Sequence, residues 1–75
     1  MARCLIVDDS MVVREAVGDA LDDMGHDYDA CTTGEDALAL LSENAFDLVF
    51  LDIHMPGISG LDVLTTLRDR WPKIK

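Results

Sequence analysis

Two short apolar runs, each stopping at a carboxylate, constrain this chain more than any other feature. Leu48 to Leu51 (Leu-Val-Phe-Leu) is unbroken, as suits a strand covered on both faces, and it ends at Asp52. Arg3 to Val7 (Arg-Cys-Leu-Ile-Val) reads as a second buried strand and ends at the pair Asp8-Asp9. After Asp52, Met55-Pro56-Gly57 is strong turn chemistry, and Ser59 and Gly60 are placed to begin a helix. Each carboxylate therefore sits where a strand emerges from a sheet, which in open parallel sheets is where ligands bind.

The segments between these runs have helical period. Ser10 can cap a segment in which Val13, Ala16, Val17, Ala20, Leu21 and Met24 recur every three or four residues until Gly25. Arg14, Glu15, Asp19, Asp22 and Asp23 occupy its other, solvated face. His26 to Thr32 alternates like a less buried edge strand. Thr33-Gly34-Glu35-Asp36 has the spacing of a capping box, and Ala37, Leu38, Leu41 and Ala45 give a second helix its apolar stripe. Ser59 and Asp62 repeat the cap spacing, followed by Leu61, Leu64, Leu67 and Trp71 up to Pro72. Lys73-Ile74-Lys75 is too short to assign, although it could lead into another strand. The resulting βαβαβα order predicts an α/β fold of parallel strands joined by right-handed crossovers. With the strand order 2-1-3 that begins a flavodoxin-like sheet, Asp8, Asp9 and Asp52 converge at adjacent strand ends.

Composition narrows the partners. The chain is 75 residues, one small domain at most, and it is 49% hydrophobic, too apolar for a disordered tail. Fifteen acidic against six basic residues give a net charge of −9, which disfavours nucleic acid and anionic membrane surfaces. No apolar run approaches a membrane span, and no signal-peptide pattern precedes the first strand, so the expected location is the cytoplasm. Cys4 and Cys31 lie in strands and are expected as reduced, buried thiols.

Three converging carboxylates repel. At about 5 Å and an effective dielectric near 20, each pair costs roughly 3 kcal/mol, so the cluster calls for a cation or a captured proton. Mg²⁺, held by one or two carboxylates together with phosphate oxygens, is the natural hard cation, and such a site suits phosphoryl transfer onto an aspartate. Taken singly, Asp8 and Asp9 would serve equally as helix caps and Asp52 as a turn residue; only the joint pattern points to a site. His54, two residues past Asp52, invites a ligand or general-base role. No second His or Cys stands at metal-ligand spacing, however, and a hard cation would take a backbone carbonyl there more readily.

These residues resemble the receiver domain of bacterial two-component response regulators, including the single-domain chemotaxis type. The resemblance runs through Leu-Ile-Val-Asp-Asp-Ser at 5–10, Asp-Leu-Val-Phe-Leu-Asp-Ile-His-Met-Pro-Gly at 47–57 and Gly60-Leu61-Asp62. It implies that Asp52 is a phosphoacceptor served by the histidine of a sensor kinase or phosphotransfer protein. It implies that Asp9 and Asp52 ligate Mg²⁺ directly, that Asp8 acts through water, and that the His54 backbone carbonyl completes the protein ligands. Met11 and Arg14, in the first helix, become candidate contacts to the phosphohistidine partner. On this resemblance the chain is a signalling domain that acts on itself rather than an enzyme with free substrates.

A complete receiver has two further β/α units, carrying a hydroxyl residue and a lysine that respond to the phosphoryl group. Residues 1–75 correspond to its N-terminal part, and Lys73 and Lys75, which follow the third helix, do not match that lysine. Without a fourth strand, Leu48 to Leu51 would expose an apolar edge and invite self-association. The alternative function is accordingly an oligomerisation or binding module derived from a receiver. A Mg²⁺-dependent hydrolase of free phosphate esters fits worse, since no general acid or substrate-capping segment is present.

Overall fold

The computed structural model describes residues 2–54, 57 and 59–75. The turn expected at Met55-Pro56 falls outside the described residues. Strands β1 (Arg3–Val7), β2 (Asp27–Cys31) and β3 (Leu48–Leu51) alternate with helices α1 (Met11–Asp23), α2 (Gly34–Glu43) and α3 (Gly60–Arg70). The sheet is parallel with the order β2-β1-β3, the flavodoxin-like 2-1-3 start expected from the sequence. Each helix begins where its cap was read. Ser10, Thr33 and Ser59 accept from the amides of Val13, Asp36 and Asp62 at 3.3, 3.1 and 3.2 Å. Gly25 closes α1 in the left-handed region, at φ 78°.

Alternating residues of β1 face opposite layers. Leu5 and Val7 pack with Ala37, Leu41, Phe46, Val63 and Leu67 under α2 and α3. Cys4 and Ile6 pack with Leu21 under α1. Cys4 and Cys31 are both buried and free, and they belong to opposite layers, which rules out a bond between them.

Ala45, read as the end of the α2 stripe, lies beyond the helix and is exposed, and three larger details depart from the sequence pattern. In α3 the buried face is Gly60, Val63 and Leu67, while Leu61 is 60% exposed and Leu64 also faces solvent. Leu67 and Trp71 of the expected stripe do pack on the core, but its first half is out of phase, with Val63 inward in place of Leu64. The phase is set by Gly60, where a Cβ would lie 2.1 Å from the Ile53 Cα and 2.5 Å from the Asp52 carbonyl oxygen. The helix start is thereby pressed against backbone, and Val63, one turn on, is turned inward.

In α1, Leu21 and Gly18 are buried, whereas Val13, Ala16, Ala20 and Met24 are exposed. The helix touches the sheet along one edge of its stripe, and the rest borders an open apolar groove of about 390 Å³ over Cys4, Leu48 and Phe50. For the same reason β3 is not covered on both faces: Phe50, on the α1 side, is exposed.

The third departure concerns the β3 edge, which is partly paired. Lys75 donates to the Asp47 carbonyl at 3.1 Å, and its own carbonyl accepts from Val49 at 2.8 Å. Bonds bracketing Leu48 in this way are the start of a parallel ladder, so the last residues do run beside β3 as a further strand would.

Candidate acidic phosphoacceptor site

The sheet hydrogen bonds carry past the strand ends and hold the acidic residues. Asp8 donates its amide to the Cys31 carbonyl at 3.1 Å, and Asp52 donates its amide to the Val7 carbonyl at 2.9 Å. Val7 pairs with Leu51 in register, so the residues that follow, Asp8 and Asp52, emerge side by side. Asp9 completes the group, and one carboxylate oxygen from each of the three lies within 4.8 Å of the others. Asp8 and Asp52 are half-buried and Asp9 is exposed.

Local bonds aim two of the carboxylates. Asp8 Oδ1 accepts from the Ser10 amide at 2.9 Å and Asp52 Oδ1 from the His54 amide at 2.9 Å, the pattern by which Asp bridges its own backbone two residues on. Asp52 Oδ2 makes no hydrogen bond among the described residues. The His54 ring stands on an exposed residue.

Of the two candidate docking residues, Met11 is 61% exposed at the start of α1. Arg14 is half-buried, and its Nη1 donates to the Asp8 carbonyl at 2.9 Å. The sequence pattern had placed Arg14 on the solvated face of α1, and nothing in its spacing signalled this return to the loop. Beneath the site, burial above all, and the Asp36 carboxylate after it, push the Cys31 thiol up to about 11. Burial, with the Asp47 carboxylate, also raises Cys4.

The donor set fits a small hard cation. From bonds of about 2.1 Å, oxygens on an octahedral Mg²⁺ lie about 3.0 Å apart when adjacent and about 4.2 Å apart when opposite, so three carboxylates gathered within 4.8 Å would close further onto the ion or reach it in part through water.

The domain is thus a parallel α/β sheet with helices on both faces and an acid cluster at the carboxyl ends of its strands. The chain matches the response regulator receiver domain over residues 4–75 and belongs to that family. The Pseudomonas aeruginosa response regulator protein FleR is 40% identical over 73 residues, 97% of this chain and 15% of FleR. The Thermotoga maritima response regulator TrrA, solved in complex with Mg²⁺-BeF, superposes with a TM-score of 0.94 at 41% identity, covering 100% of this chain and 65% of TrrA. TrrA in complex with the histidine kinase ThkA superposes with a TM-score of 0.92. The chain thus spans less than a sixth of FleR and about two thirds of TrrA.

Proposed function

We propose that Asp52 is a phosphoacceptor that takes a phosphoryl group from the phosphohistidine of a sensor kinase or phosphotransfer protein. The observation that carries this is the gathering of Asp8, Asp9 and Asp52 at the ends of β1 and β3. Asp52 Oδ2, the oxygen not engaged by the His54 amide, attacks phosphorus. The P–N bond breaks with its electron pair going to the imidazole, and an acyl phosphate forms on Asp52. Asp9 and Asp52 would hold Mg²⁺ directly, with Asp8 reaching it through water and the His54 backbone carbonyl offering a further oxygen. When bound, the ion neutralises the acceptor carboxylate and the phosphoryl oxygens. TrrA, which was solved both with Mg²⁺-BeF and with a histidine kinase, supports both the cation and the class of partner.

The full-length protein, incubated with Mg²⁺ and acetyl phosphate, is expected to gain one phosphoryl group that Asp52→Asn abolishes. Absence of labelling, or labelling that survives Asp52→Asn, refutes the assignment. The apolar groove beside α1 favours one further reading, a receiver-derived module that assembles through that face. It predicts self-association indifferent to phosphodonor and to Asp52→Asn, read by light scattering.

A further inference from the structure

Asp9 is exposed, and none of the hydrogen bonds that aim Asp8 and Asp52 holds its carboxylate. Its direction must therefore come from the backbone on either side. The Asp8 carbonyl belongs to the same planar peptide as the Asp9 amide, so fixing that oxygen fixes the plane from which Asp9 departs. Arg14 Nη1 grips that oxygen at 2.9 Å. The Arg14 backbone amide also donates to the Ser10 carbonyl at 3.0 Å. One residue thus reaches both ends of Asp8-Asp9-Ser10, by its side chain before Asp9 and by its main chain after it.

We infer that Arg14 is a positioning residue, a clamp that holds the Asp8–Asp9 peptide so that the Asp9 carboxylate stays turned toward Asp52. The inference rests on the assignment of the acid cluster as a Mg²⁺ site, and it concerns how that site is kept in shape. It differs from a purely electrostatic role in the sign of its effect. Removing a cation near three carboxylates would by charge alone tighten Mg²⁺ binding, whereas removing a clamp weakens it. Arg14→Lys keeps the charge and one donor but not the planar fork, and falls between.

The test measures Mg²⁺ affinity by calorimetry, together with amide hydrogen exchange without metal at Asp8 and Ser10, the hydrogen-bonded amides on either side of the gripped carbonyl, on the full chain and on Arg14→Met, Arg14→Lys and Asp52→Asn. Arg14→Met is expected to bind Mg²⁺ roughly two- to tenfold more weakly, the range of one hydrogen bond, with partial rescue in Arg14→Lys and faster exchange at both amides. Equal or tighter binding in Arg14→Met overturns the clamp. Should Arg14→Met fail to fold, Arg14→Lys against the unaltered chain carries the same comparison, and equal or tighter binding there is equally fatal. If the unaltered chain and Asp52→Asn do not differ in Mg²⁺ binding, the metal assignment fails. Exchange then decides the clamp by itself, faster amides supporting it and unchanged amides overturning it.

Discussion

Replacing Gly60 with alanine sets two physical effects against each other at the start of α3. Helix propensity favours alanine over glycine by about 1 kcal/mol, so on local grounds Gly60→Ala should stabilise. The new Cβ, however, would stand 2.1 Å from the Ile53 Cα, 2.5 Å from the Asp52 carbonyl oxygen and 2.9 Å from the Ile53 nitrogen. Reaching ordinary contact near 3.4 Å requires opening the closest of these by about 1.3 Å, and all three neighbours are backbone with no rotamer to yield. Overpacking typically costs about 1–3 kcal/mol, and rigid neighbours put this site at or beyond the upper end. A net loss of roughly 2 kcal/mol follows, lowering the melting temperature of a domain this size by roughly 8–16 °C. The displaced peptide is Asp52–Ile53, so Asp52, the proposed acceptor, moves too, and a misplacement of about 1 Å can cost on the order of a hundredfold in rate. Thermal unfolding by circular dichroism and acetyl phosphate labelling below the transition, on the same preparation, measure both. A melting temperature that is unchanged or higher in Gly60→Ala would refute the close approach as the determinant of this helix.

Gly18→Ala is the contrasting case. Its Cβ would meet the Tyr28 ring at 2.6 Å, but that ring is partly exposed and can swing outward, so stability in urea should stay within about 1 kcal/mol of the parent. A loss as large as that of Gly60→Ala would show the ring to be fixed. Thr33→Ala removes the cap on the Asp36 amide and should cost about 1 kcal/mol by urea unfolding, with no change in Asp52 labelling. Cys31 has an ordinary value of 9.0 when unfolded and about 11 when folded, so the folded chain keeps the proton longer. The thiol's contribution is complete below about pH 9 and is lost as pH rises toward about 11. Urea midpoints between pH 8 and about 11 should therefore fall more steeply in the parent than in Cys31→Ala, and parallel slopes would contradict the burial of this thiol.

The helix starts show what was local. Ser10, Thr33 and Ser59 each bond an amide three residues on, an interaction contained within one turn, and all three stand where the spacing placed them. The strand positions were equally plain, because an apolar run ending at a carboxylate needs no knowledge of its neighbours, but the run did not tell which face is covered, and Phe50 is exposed. Long-range geometry was harder to see. The stripe through Leu61 and Leu64 had helical period but not the inward face, and Met24 ended a stripe without being covered. Arg14 read as a surface charge because its partner is a main-chain oxygen, which has no sequence signature.

Asp52 at the end of β3 and Asp8-Asp9 at the end of β1 were written into the sequence as the points where the apolar runs stop, and so was the alternation of strands and helices around them. Their gathering within 4.8 Å depended on β1 lying between β2 and β3 in a register that sets Val7 beside Leu51. The rotation of α3 and the clamp on the Asp8–Asp9 peptide were decided only in three dimensions. Periodicity encodes which residues share a face, but the direction that face takes is set by whatever backbone it meets, here Ile53 against Gly60 and the Asp8 carbonyl against Arg14.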